Sequence, residues 1–191
     1  MREDQTMQIE TARLLLRDFT EDDLSAVYAF DSDPELKRYR GGGKATEEET
    51  RGFIQKTQHW LKQEPRSTYA LALVLKERAE IIGVICLTIT WRERGEAELW
   101  YRLSRTFWNQ GYITEAASAM LAFGFIDLQL HRIWAMCHPD NTGSWRVMEK
   151  IGMSYEGRMR ENFPNEDGTW RDSLLYAIID HAWRSKQNTS S

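Results

Sequence analysis

ELWYRLSRTFWNQGYITEAASAMLAFG, residues 98–124, decides how the rest of the chain is read. It opens as a strand in which Leu99, Tyr101 and Leu103 alternate with Glu98, Trp100 and Arg102, the period of a sheet with two distinct faces. A polar turn follows, Ser104 to Gln110. Gly111 then starts a helix whose apolar positions are Ile113, Ala116, Ala117, Met120 and Gly124. A strand that runs through a glycine-containing turn into a helix brings unpaired backbone N–H groups to the positive end of the helix dipole. That is a seat for an anion such as a phosphate or pyrophosphate. An ordinary strand–turn–helix packed in an α/β core has the same pattern, and the local sequence leaves both open.

Upstream, Arg13 to Phe19 predicts a strand, and Thr20 with Asp23 an N-cap pair for a helix reaching about Phe30. Asp33-Pro34 breaks that helix, and a short segment reaches Tyr39. Gly41-Gly42-Gly43 is read as a hinge loop, since no Gly-Lys-Ser or Gly-Lys-Thr follows to make it a phosphate loop. Thr46-Glu47-Glu48-Glu49 is a capping box for a helix with Phe53, Ile54, Trp60 and Leu61 on its apolar face, ended by Pro65. Tyr69 to Leu75 and Ile81 to Thr90 make two strands about the polar turn Lys76 to Glu80. Downstream come a strand (Arg132 to Cys137), a turn (His138 to Asn141) and a helix (Thr142 to Lys150) stopped by Gly152. Two more strands, Met153 to Met159 and Leu174 to Ile179, are joined by the loop Asn165 to Gly168. Residues 1–10 read as a loose lead-in. The order predicts one α/β domain on a mixed sheet.

With 191 residues, 41% of them hydrophobic, the chain has enough apolar content for one sizeable core. A net charge of -4 argues against nucleic acid or an anionic membrane as partner. Cys86 and Cys137 lie in apolar runs without ligand spacing, so buried thiols in a reducing cytoplasm are expected. His59, His131, His138 and His181 likewise lack metal-ligand spacing, and no metal is expected. Residues 1–10 lack the apolar core of a signal peptide, and the longest apolar runs are too short to span a bilayer.

Two stretches together carry a family resemblance. Trp108-Asn109-Gln110-Gly111-Tyr112-Ile113-Thr114-Glu115-Ala116 resembles the W-G-x-G-Y-x-T-E-A segment of the GNAT superfamily of acyl-CoA N-acyltransferases. Asn141-Thr142-Gly143-Ser144-Trp145-Arg146-Val147-Met148-Glu149-Lys150-Ile151-Gly152-Met153 resembles its N-x-x-S/A-x-x-V/L-x-E-K-x-G-F/M. Thr11-Ala12-Arg13-Leu14, Leu16-Arg17 and Tyr155-Glu156-Gly157 are similar to the branch containing RimJ and RimL, which acetylate protein N-termini, notably of ribosomal proteins. The resemblance covers about Thr11 to Trp183 within a single domain, 1–191. It implies a mostly antiparallel sheet of about seven strands, flanked by helices and splayed between the fourth and fifth strands. Three positions depart from the family pattern. Asn109 stands at a usual Gly, Trp100 at another, and Met148 where many members carry a Tyr that protonates the departing thiolate.

The resemblance implies acetyl transfer from acetyl-CoA to a primary amine by direct attack in a ternary complex, with no metal. The pyrophosphate would sit on the backbone of Trp108, Asn109, Gln110, Gly111, Tyr112, Ile113 and Thr114. A free strand N–H near Leu103 or Ser104 would polarise the acetyl carbonyl. Glu98 and Glu161 are the two candidates for general base; each could instead be a structural carboxylate paired with Arg102 or Arg158. Ser144 is the candidate for protonating the thiolate, or else a helix residue bonded to backbone. Asn141 would hold the pantetheine amides while capping its helix. Arg38, Tyr39, Arg40 and the stretch Asn162 to Trp170 are placed, by the family's layout, around the acceptor. The expected acceptor is a protein N-terminal amine and the expected state a monomer or homodimer. Two other readings stay open: an acetyltransferase for a small amine such as a polyamine, amino acid derivative or aminoglycoside, and a CoA-binding sensor without catalysis.

Overall fold

The structure, a computed structural model, describes residues 6–37, 39, 45–165 and 167–189. The expected glycine hinge, Gly41 to Gly43, with Arg38 and Arg40 before it and the first five residues of the lead-in, lies outside the described residues.

Eight strands form one sheet in the order β1-β2-β3-β4-β5-β6-β8-β7. They are β1 (Gln8–Glu10), β2 (Leu14–Asp18), β3 (Thr68–Leu75), β4 (Glu80–Trp91), β5 (Glu96–Leu103), β6 (Arg132–Cys137), β7 (Ser154–Pro164) and β8 (Trp170–Ile179). All neighbours run antiparallel except β5 and β6. Eight strands stand where about seven were expected, because Gln8–Glu10 pairs with β2; three residues are too few for an alternating pattern to register. β7 runs beyond the expected Met159 to Pro164. Its register breaks between Tyr155 and Gly157 and again between Met159 and Phe163, and such bulges erase the alternation that marks a strand. The C-terminal helix α6 (Asp180–Thr189), which no element above foresees, seats Trp183 against Phe125 at 5.4 Å between ring centroids.

Helices cover both faces. α1 (Leu24–Asp31), α2 (Pro34–Lys37) and α3 (Glu47–Leu61) belong to one side, with Val27, Phe30 and Ile54 packed on Ala72, Val74 and Val84. The other side buries Ala116, Ala117, Met120 and Leu121 of α4 (Tyr112–Ala122), and Met148 of α5 (Thr142–Lys150), against Leu71, Leu73, Leu87 and Leu99. Both N-caps read from sequence form. Thr46 N donates to Glu49 Oε2 at 2.7 Å while Thr46 Oγ1 accepts from Glu49 N, and Thr20 N donates to Asp23 Oδ2 at 2.8 Å.

The feature that makes a site is the one parallel junction. β5 and β6 pair only through Glu96, Ala97 and Glu98 opposite Arg132, Ile133 and Trp134. Beyond Glu98 the strands part while β5 stays bonded to β4 as far as Leu103. With the short β1 set aside these are the fourth and fifth strands, and the sheet forks between them.

Candidate active site

The fork opens a cavity of about 650 Å³ lined from both faces of the sheet. Strand alternation distributes β5 across it. Trp100 joins the cluster around α1 and α3, whereas Leu99, Tyr101 and Leu103 join the one around α4 and α5. Glu98 and Arg102 share the Trp100 face by the same period.

At the α4 end lies the turn that the sequence marks as a candidate anion seat. Asn109 has φ 58° and Gly111 φ 81°, two left-handed residues separated by one, the kind of alternating backbone in which successive N–H groups can form an anion-binding concavity. This accounts for Asn109 at a usual Gly position, since Asn is one of the few other residues that tolerates this conformation. Trp108, Asn109, Gly111, Tyr112, Ile113 and Thr114 line the cavity, but the Trp108 N–H expected at the anion seat is already donated to Arg105 O at 3.1 Å; Gln110 does not line it, and bonds Thr106 O through its side chain at 2.9 Å. The turn is braced from the far end of the chain. Arg13 stacks over the Tyr112 ring at 4.3 Å, donates to Gln110 O at 3.0 Å and pairs with Glu115 at 2.7 Å. Thr11 Oγ1 and Arg13 N also donate to Glu115 Oε1. These contacts hold the Glu115 carboxyl below its ordinary value despite the cost of burial. Thr11-Ala12-Arg13 and Thr114-Glu115-Ala116, read separately in the sequence, are thus two halves of one clamp.

Of the two β5 donors expected for the acetyl carbonyl, Ser104 is ruled out: its N–H donates to Ile82 O of β4 at 2.8 Å. Antiparallel alternation then directs the N–H of Leu103 to the opposite edge, where β6 has turned away. The Leu103 carbonyl accepts from Trp108 Nε1 at 2.8 Å, which fixes the turn to the strand end.

The two carboxylate candidates separate. Glu98 lines the cavity where the strands part, and burial alone raises its pKa above the ordinary 4.5. The alternative pairing with Arg102 does not form, because Arg102 is bound to Asp31 at 2.6 Å, with both side chains under a tenth exposed. Glu161 sits exposed at φ 48° on the β7 bulge, outside the cavity lining, its N–H donating to Asp172 Oδ1 at 2.8 Å. Arg158 pairs with Asp172 at 2.6 Å rather than with Glu161.

At the α5 end, Asn141 caps the helix, its Oδ1 accepting from Ser144 N at 3.1 Å, and lines the cavity. Ser144 lies beside Tyr101, whose hydroxyl is 3.1 Å from Ser144 Oγ and 3.0 Å from Ser144 O. Met148 is buried in the cavity wall. In the sequence Tyr101 is one member of an alternating run; its contact with α5 is tertiary and leaves no local signal. Glu35, Leu36 and Tyr39 line the cavity together with Phe163 and Arg171. Arg171 covers the Phe163 ring at 4.6 Å and donates to Tyr39 O. Among the described residues no group of three His, Cys, Asp or Glu could hold a metal, and no helix is long and apolar enough to cross a membrane.

A forked sheet, a left-handed turn at the start of α4 and a desolvated carboxylate at the fork are the features of this cavity. Residues 13–154 match the acetyltransferase (GNAT) domain model, and the chain belongs to that family of N-acetyltransferases. It is 35% identical over 179 residues to the uncharacterized N-acetyltransferase YnaD of Bacillus subtilis, covering 93% of this chain and 99% of that one. The crystal structure of a GNAT-family acetyltransferase from Bacillus anthracis, also 35% identical, superposes with a TM-score of 0.81 over 92% of this chain and 99% of that one. RimL, a ribosomal L7/L12 alpha-N-protein acetyltransferase solved in complex with coenzyme A, shares the fold at 21% identity, with a TM-score of 0.80 over 92% and 99% of the two chains.

Proposed function

We propose that the chain transfers the acetyl group of acetyl-CoA directly to the α-amine of a protein amino terminus. One observation carries this reading: Glu98, a carboxylate raised by desolvation, stands at the fork where an acetyl thioester and an amine can meet from opposite faces. The pyrophosphate would rest on the turn at Asn109 to Ile113, the pantetheine along the open edge of β5 beside Asn141, and the acetyl oxygen on the Leu103 N–H. Glu98, directly or through a water, accepts the amine's proton; the C–S bond then breaks with its electron pair leaving on sulfur, beside Ser144.

Direct attack is supported by the thiols. Burial lifts Cys137 to about 11 and Cys86 to about 12, so neither is a thiolate near neutral pH able to carry an acetyl group. Charge supports the choice of acceptor. Deprotonating an α-amine at pH 7 costs about 1.4 kcal/mol against about 4.6 kcal/mol for lysine, within reach of one carboxylate. Among the described residues lining the cavity, Glu35 and Glu98 are the acidic ones, alongside Arg102, Arg146, Lys150 and Arg171. That balance disfavours a polycationic metabolite. RimL supports the assignment by fold and by what its name says it acts on.

Labelled acetyl-CoA incubated with cell extract and fractionated tests this. Label in protein at blocked amino termini is the expected result. Label confined to small molecules would overturn the protein acceptor, and label in neither pool would overturn the enzyme reading itself.

The clamp on the anion seat gives a separate expectation. Arg13→Ala should weaken acetyl-CoA binding about three- to tenfold, the scale of one or two lost hydrogen bonds to a charged group. kcat at saturating acetyl-CoA should stay near wild type. Calorimetric titration with the cofactor measures the first effect, and an unchanged affinity would show that the turn holds its shape unaided.

A further inference from the structure

The departing sulfur needs a hydrogen-bond donor, and the position that often supplies one in this family is Met148, a side chain with no proton to give. We propose that Tyr101, reaching across from β5, fills that gap through Ser144: its hydroxyl donates to Ser144 Oγ and frees the Ser144 O–H to bond the thiolate. This rests on the acetyl-CoA reading of the cavity. Tyr101 is a positioning residue, since its hydroxyl acts through that of Ser144.

Four observations converge. Tyr101, Ser144 and Met148 line the same cavity, on the α4–α5 face of β5 and across the fork from the Glu98 face. The Tyr101 oxygen lies within hydrogen-bond distance of two Ser144 acceptors, Oγ at 3.1 Å and O at 3.0 Å. Ser144 O can only accept. When Tyr101 donates there, Ser144 Oγ–H points at the tyrosine; when Tyr101 donates to Oγ, the serine proton is released toward the cavity. Both arrangements need only rotation of hydroxyls. Finally, burial raises the Tyr101 phenol well above its ordinary 10, outweighing the Ser144 bond that opposes it, so the phenol keeps its proton throughout. The other titratable group here, the Cys137 thiol, also bonds Ser144 and is raised to about 11, which leaves it neutral beside the pair.

That phenol is too weak an acid to surrender its proton to a thiolate, and this decides the form of the step. As the tetrahedral intermediate collapses, the C–S electron pair goes to sulfur and the thiolate leaves hydrogen-bonded to Ser144 Oγ–H, itself polarised by Tyr101. The amine's proton has gone to Glu98. No proton leaves Tyr101, so charge and atoms balance without a buried phenolate. Base and sulfur-stabilising pair therefore act from opposite faces of one strand, three residues apart in sequence.

The test is steady-state release of coenzyme A thiol by wild type, Tyr101→Phe, Ser144→Ala, Ser144→Thr and the Tyr101→Phe/Ser144→Ala double variant, with acetyl-CoA affinity measured by calorimetry. Tyr101→Phe and Ser144→Ala are each expected to lower kcat about ten- to a hundredfold, with acetyl-CoA affinity unchanged within about twofold. The double variant should be no slower than the worse single one, and Ser144→Thr should keep most of the activity. Tyr101→Phe at wild-type kcat, or single losses that multiply in the double variant, would overturn the relay. Should Tyr101→Phe fail to fold, the serine pair decides: Ser144→Ala as fast as Ser144→Thr overturns it as well. Absence of both acetyl-CoA binding and thiol release by wild type would instead bring down the cofactor reading and the relay with it.

Discussion

Glu98→Gln is expected to lower kcat about a hundredfold or more, the usual scale for losing a general base, with little change in acetyl-CoA affinity. Its pH signature follows from the direction of the shift. The base must be ionised to accept a proton, so wild-type kcat should fall as pH drops through a Glu98 pKa lying above the ordinary 4.5, and the variant should lose that acid limb. Stability should move the other way. A carboxylate whose folded pKa is raised above its unfolded value disfavours the fold once pH exceeds the unfolded value, and imposes no cost well below it. Glu98→Gln should therefore melt at the wild-type temperature or higher near neutral pH, with the advantage gone in acid. A kcat profile and melting curves over the same pH range measure both. A variant with wild-type kcat would place the base elsewhere and return attention to Glu161.

Asp31→Ala carries the largest expected cost to the fold. Asp31 on α1 and Arg102 on β5 meet at 2.6 Å with their side chains 4% and 8% exposed, and the guanidinium lies 4.4 Å from the centre of the Phe53 ring. Removing the carboxylate takes a charged partner from a buried cation, at about 3–5 kcal/mol. For a domain of this size that is a fall of about 6–20 °C in melting temperature. Asp31→Leu combined with Arg102→Met, which removes both charges, should recover most of the loss. A single-variant cost under about 1 kcal/mol would mean that water reaches the guanidinium.

The sequence displays much of this fold because its elements are long and punctuated. The helix Thr142–Lys150 and the strand Arg132–Cys137 begin and end where the pattern predicts, the one capped by Asn141, the other leading into the His138 turn. What escapes has a physical reason in each case. β1 is three residues long, β7 is broken by bulges, and α6 follows β8 without an intervening turn residue. At the site, the resemblance points to Glu98, Ser144, Asn141 and the Asn109–Gly111 turn, all of which converge on one cavity. It also nominates Glu161 and the Ser104 N–H, which lie outside the cavity or are already bonded. A bulge and a ladder register are properties of paired strands, invisible along one of them. Tyr101 and the clamp at Arg13 were hidden for a related reason: each matters through a residue tens of positions away.

The clamp joins distant parts of the chain. Arg13 and Glu115 are 102 residues apart, so their contacts with the turn at Asn109 to Gly111 form only once the strand that follows Arg13, β2, is in its place in the sheet. Reciprocity then runs the other way. A ligand that steadies that turn would also steady β2, so bound acetyl-CoA is expected to slow amide exchange along Leu14–Asp18, a strand some hundred residues from the turn itself.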